Sequence, residues 1–182
     1  FSMQNKEFCF CAVSLGAPYR KLAVDLASNL EQVAPGTKLV LVTDKAQEFD
    51  GISTIIALQH NHTFGYRPYN DKVFAIEAAL QRFPIAFQMD VDATFNKNIE
   101  AQLGVNWQPG ISARFEPMLT HTEKFNENDL DRIKKLGRKL NISLDSAQWV
   151  GEALFVVRED RGKEQDFLKC WQHLAHYWDI HK

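Results

Sequence analysis

The chain has 182 residues, 45% of them apolar and 24% charged, which is room for one domain around a sizeable core and an ordinary globular composition. A formal net charge of −2 supplies no basic field, so nucleic acid is not an expected partner. No apolar run approaches the roughly 20 residues that a membrane span needs, so no transmembrane segment is expected. Phe8 to Leu15 is a short apolar run ending at Gly16, the pattern of a buried strand. Pro18 then opens a helix whose inner face carries Leu22, Leu26, Leu30 and Val33, and Pro35-Gly36 stops it. Lys38 to Thr43 reads as a second strand and Ile52 to Leu58 as a weaker third, followed by a polar, aromatic loop from Gln59 to Tyr69. Asn70 is placed to cap the next helix, with Val73, Ile76, Leu80 and Phe83 on its apolar face and Pro84 at its end.

A fourth strand is expected from Ile85 to Val91. Strand, helix, strand, strand, helix, strand describes an α/β protein with a mostly parallel sheet covered by helices. The second half is less regular. Gly110 to Phe115 is a candidate strand, Asp129 to Leu140 a helix with Leu130, Ile133, Leu136 and Leu140 inward, Trp149 to Val157 a strong strand, and Glu164 to Tyr177 a final helix. Nothing reads as a repeat or a linker, so residues 3–182 are expected to form a single domain. Phe1-Ser2 ahead of Met3 reads as a cloning or processing remnant, and no signal-peptide pattern follows. The last residues, Trp178 to Lys182, carry no helix stop signal, so the natural chain is expected to continue. Cys9 and Cys11 lie two apart on one strand and are poorly placed to bond each other. With Cys170 they read as reduced thiols, which suits a cytoplasmic location.

The chemistry concentrates at Asp90-Val91-Asp92. On a continuing strand these two carboxylates would share one face where the apolar run ends. Like charges there repel unless a cation sits between them, and a hard divalent metal, Mn²⁺ or Mg²⁺, shared with a phosphate is the simplest solution. Ligands of open α/β sheets bind outside the carboxyl ends of the strands. Two further polar signals fall at such ends. Ser14-Leu15-Gly16 allows close approach of backbone to a base or ribose, and Thr43-Asp44 offers a carboxylate to the same groups. Together the three ends describe a pocket for a nucleotide diphosphate. Lys72 stands in the first turn of a helix, where a cation opposes the dipole, so its position is better explained by an anion such as a donor phosphate. Glu152 follows Gly151 on an otherwise apolar strand, where a carboxylate suits a base for an acceptor hydroxyl, or simply a partner for Arg158. Five basic residues from Arg132 to Lys139 read as a solvated helix face.

From Phe8 to Val157 the chain resembles the GT-A glycosyltransferases, the nucleotide-diphospho-sugar transferases. The resemblance rests on Val13-Ser14-Leu15-Gly16, Leu41-Val42-Thr43-Asp44, Asn70-Asp71-Lys72, Gln88-Met89-Asp90-Val91-Asp92 as the Asp-X-Asp motif, and Trp149 to Phe155 as the later strand facing sugar and acceptor. It implies a Rossmann-like GT-A fold and transfer of a hexose-type sugar from a UDP-sugar to a sugar, lipid or protein acceptor. Ser14, Gly16 and Asp44 would then contact base and ribose, Asp90 the ribose or metal, and Asp92 the metal. A further metal ligand, often histidine, is common late in such chains, and His181 is the late candidate. Asp90-Val91-Asp92-Ala93-Thr94 also resembles the first motif of haloacid-dehalogenase phosphatases, with Asp90 as nucleophile and Asp160 as a later acid. That motif ordinarily sits on the first strand of its domain, whereas two strand–helix units precede it here. A GT-A-like module that binds without catalysis is the third reading.

Overall fold

The computed structural model describes residues 7–65, 68–97, 106–122, 124, 127–151 and 153–180. These residues fall into two compact units, one formed by Phe1–Ser112 with Ala153–Lys182 and the other by Ala113–Glu152.

In the first unit, β1 (Phe8–Ser14), β2 (Lys38–Thr43), β3 (Ile55–Gln59) and β4 (Ile85–Met89) are joined by β5 (Gly110–Ser112) and β8 (Leu154–Arg158) in the order β3-β2-β1-β4-β8-β5. The first four strands are parallel, and β8 enters antiparallel to both β4 and β5. Period-two alternation sorts the side chains to the two faces. Phe10, Ala12, Leu39, Leu41, Phe87 and Met89 pack with Ala23, Leu26, Ala27 and Leu30 of α1 (Ala17–Val33) in one core. The opposite residues of β1, β2 and β4 lie under α2 (Lys72–Leu80), which in turn packs on α5 (Lys163–Ile180). Burial pushes the Cys9 thiol on that face up to about 12, against the opposing pull of Arg82, and drives Cys11 well above the ordinary thiol range. Neither is a nucleophile, whereas Cys170 is exposed.

In the second unit, β6 (Phe115–Pro117) pairs antiparallel with β7 (Gln148–Val150), and α3 (Met118–Thr122) and α4 (Glu127–Leu140) lie between them in sequence. Arg132, Lys134, Lys135, Arg138 and Lys139 are all exposed, while Leu130, Ile133 and Leu136 are half-buried. Leu140, expected inward, is exposed at the helix end.

Several elements differ from the sequence expectation. The stretch Trp149–Val157 is two strands in two sheets, interrupted at Gly151, and Gly110–Phe115 likewise divides into β5 and β6. The third strand starts at Ile55 because Ile52 serves in a turn, accepting from the Ile55 N–H. Asn70 does not cap α2. It lies in a 3₁₀ turn over Pro68–Asp71 and accepts the Trp171 indole N–H at 2.9 Å, linking that turn to α5. Among the described residues no helix is long and apolar enough to cross a membrane.

Candidate functional site

The carboxyl ends of β1 and β4 and the start of α2 border a cleft of about 410 Å³. Its lining is apolar at Val13, Leu15 and Val91, aromatic at Tyr19 and Tyr69, and polar at His62, Lys72, Asp90 and Asp92. The sequence therefore places three of its candidates, Lys72, Asp90 and Asp92, on one cavity.

The aspartates do not sit on a continuing strand. β4 ends at Met89, the Asp90 N–H makes a last ladder bond to the Ala153 carbonyl (3.3 Å), and the Ala93 N–H closes a turn onto the Asp90 carbonyl (3.2 Å). Burial of Val91 in the α1-facing core drives this turn, which leaves Asp90 half-buried and Asp92 exposed. Asn29 of α1 fixes the segment beyond, donating to the Phe95 carbonyl (3.0 Å) and accepting its N–H (2.8 Å). No sequence signal pointed to Asn29.

Lys72 Nζ lies 2.7 Å from Asp90 Oδ1, with the lysine side chain buried and the aspartate part-exposed. The pair answers the like-charge problem in part. Asp90 is compensated by Lys72, and the Asp92 carboxylate has no protein partner among the described residues. A divalent metal fits this donor set: Asp92 is open, Asp90 retains Oδ2, and Mg²⁺-type sites use one or two carboxylates with phosphate oxygens rather than a protein cage. Among the described residues no three histidine, cysteine or acidic side chains converge as a self-sufficient site.

The remaining donor candidates are off the cleft wall. Ser14 is fully buried, and its Oγ is unpartnered among the described residues. Gly16 holds φ 94°, the left-handed region that favours glycine, and its N–H donates to Asp44 Oδ1 at 3.1 Å. Arg20 Nη1 lies 2.8 Å from both Asp44 oxygens, and its Nε 2.6 Å from Glu48. Asp44 is thus engaged inside the chain, and the sequence missed this because Arg20 looked like one more helix surface residue. Burial works to raise the Asp44 carboxyl, but the Gly16 N–H and Arg20 outweigh it and hold it below its usual range. Glu48 is lowered chiefly by its hydrogen bond from Arg20. Carboxyls lowered on folding stabilise above the unfolded carboxyl range, and that contribution disappears as pH falls through the folded values. The melting temperature should therefore hold above about pH 5 and fall below about pH 4. Arg20→Gln should lower it at neutral pH and flatten the acid-side fall in thermal melts, and an unchanged acid slope would refute the assignment.

The loop before α2 contributes what the sequence left unassigned. Asp71 is fully buried and accepts from the His62 ring and the Thr63 N–H, which sets His62 on the cleft. Tyr66, Arg67, Glu152 and His181 lie outside the described residues. In the second unit His121 stacks on Trp149 at 3.9 Å between ring centroids and bonds Glu116, which Lys124 also holds at 2.6 Å. Those contacts, the Lys124 bond first, lower the Glu116 carboxyl.

The phosphatase geometry fails on strand direction. Because β8 is antiparallel to β4, pairing Ile85 with Arg158 and Met89 with Leu154, Asp160 emerges at the opposite end of the sheet from Asp90. The Glu159 N–H bonds the Pro84 carbonyl at that far end, and Asp160 pairs with Lys163.

The sequence matches no family profile and no curated protein. Solved structures do match. Galactosyltransferase LgtC, in complex with donor and acceptor sugar analogues, aligns over 93% of this chain at TM-score 0.52 and 10% identity. The bifunctional glycosyltransferase WbbM aligns over 96% at 0.56 and 10%, and mouse xyloside xylosyltransferase 1 over 92% at 0.50 and 11%. This is the GT-A glycosyltransferase fold. The expected fold class is borne out: the chain has a six-stranded, mainly parallel central sheet with helices. The chain spans 64% of the LgtC chain, 71% of the xylosyltransferase and 35% of WbbM.

Proposed function

We propose that the chain is a metal-dependent glycosyltransferase that moves a sugar from a nucleotide diphosphate, a UDP-sugar, to a sugar, lipid or protein acceptor. The observation that carries this reading is the cleft in which Lys72, Asp90 and Asp92 meet Tyr19 and Tyr69 beside the carboxyl ends of the parallel strands of a GT-A fold. LgtC, of the same fold, was solved with sugar-donor and acceptor analogues. The phenol rings and the apolar Val13 and Leu15 suit the face of a base. Lys72 and the metal site suit a diphosphate.

In this reading Asp92 and Asp90 would hold Mn²⁺ or Mg²⁺, which would supply Lewis-acid neutralisation of the diphosphate leaving group. Lys72 orients Asp90 and adds positive charge beside the leaving group. Ser14 and Gly16 contribute through the backbone turn that shapes the ribose end, and Asp44 acts by fixing Gly16 rather than by facing a sugar. Glu152, directly before Ala153, is the proposed base or sugar-contacting acid on the acceptor side.

The test is thermal stability with UDP-, GDP-, CDP- and TDP-sugars, each with and without Mn²⁺. A ligand at about 100 times its dissociation constant adds about 2.7 kcal/mol, a rise of roughly 5–10 °C for a chain of this size. A UDP-sugar should give that rise with Mn²⁺ only. No shift with any nucleotide would overturn the reading.

A further inference from the structure

Asp71 is a carboxylate with no access to water. Its Oδ2 accepts from His62 Nδ1 at 3.1 Å, and Oδ1 from the Thr63 N–H at 3.2 Å. On its other side His60 Nε2 comes to 3.6 Å of Oδ1 without a hydrogen bond. A buried carboxylate held this way is costly unless its partners answer its charge, and histidines flank it on both sides. Because Nδ1 faces a carboxylate it carries the hydrogen, leaving Nε2 as the ring's other polar atom. His62 is 56% exposed and lines the same cleft as the Asp90–Asp92 turn. An exposed ring clamped from behind by a buried acid is positioned for a ligand.

The charge of the cleft says which ligand group. Lys72 cancels Asp90, and a divalent metal less Asp92 leaves one positive charge. A sugar-bound diphosphate brings two negative charges, and a third develops when the sugar departs. A positioned hydrogen-bond donor serves such oxygens locally, since Asp71 balances any charge on the His62 ring. Among the described lining residues, His62 is the other side chain, besides Lys72, that can donate as a cation.

We propose that His62, clamped by Asp71, is a second cationic hydrogen-bond donor to the diphosphate of the nucleotide, with Asp71 as its positioning residue. The assignment rests on the donor-site reading above.

Calorimetry on the full chain with Mn²⁺ separates phosphate recognition from base recognition by using UDP and uridine as probes. His62→Gln should weaken UDP about tenfold and leave uridine unchanged, and His62→Lys, which restores a cation, should recover most of the loss. Asp71→Asn should reproduce part of the same UDP-selective loss, whereas a merely structural defect would weaken both probes equally. Equal losses for UDP and uridine in His62→Gln, or a UDP loss that His62→Lys does not recover, overturn the proposal and leave the nucleotide site standing. Failure of the wild-type chain to bind UDP overturns the nucleotide site and this proposal with it.

Discussion

Asp92→Asn is expected to remove metal-dependent nucleotide binding and to cut sugar transfer at least about a hundredfold, because a hard cation that neutralises the diphosphate is worth several kcal/mol and needs anionic oxygen ligands to hold it. The melting temperature should move by no more than about 2 °C. Asp92 is exposed, has no partner among the described residues and is not needed for the turn, whose hydrogen bond runs between the Ala93 and Asp90 backbones. Substitutions at such positions change stability by about half a kcal/mol or less. The same change at Asp90 would be less clean, since it also strips Lys72 of its partner at 2.7 Å. Calorimetry with UDP and Mn²⁺, beside a thermal melt, reads both quantities. Full metal-dependent affinity in Asp92→Asn would sink the metal assignment.

Phe87→Ala should have the opposite profile, a large loss of stability. Phe87 is almost wholly buried at the middle of β4, and its ring lies 5.5 Å from Phe8, 5.3 Å from Phe10 and 5.4 Å from Trp107. Truncating a core phenylalanine costs about 3–5 kcal/mol, a large part of the 5–15 kcal/mol that holds a typical domain together. For a chain of this length that is a fall of roughly 6–20 °C. A melt within about 2 °C of the wild type would mean that the aromatic cluster does not anchor the strand leading to the aspartates.

The parallel half of the fold was legible because its signals are local and strong. Buried strands read as apolar runs, Pro18 sits in the first turn of α1 as expected, and β1, α1 and β2 run close to the expected spans. The later elements were blurred where one apolar stretch serves two sheets. Composition alone does not reveal that Gly151 separates β7 from β8. At the candidate site, residue type and position single out Asp90, Asp92 and Lys72, which line one cleft. Their pairing was not legible, because an ion pair between a turn and a helix start depends on strand register. Asp44 shows the converse. Its place at a strand end was read correctly, yet Arg20, which occupies it, lies on a helix 24 residues earlier. His62 was passed over because a loop histidine has no periodicity, and its clamp, Asp71, becomes visible only once the loop folds back on α2.

The antiparallel β8 also bears on how the chain acquires its site. β4 pairs with β1 on one side, but its other edge waits for Leu154–Arg158, made long after the aspartates. Until then the strand leading to Asp90 presents unpaired backbone and apolar side chains, the kind of edge that invites aggregation. Closure of that edge is a late, long-range event, slow by the cost of closing its loop. The Asp90 N–H is tied by the same strand, through the Ala153 carbonyl. The nascent chain thus completes its last ladder bond and the setting of its first acidic residue in one step.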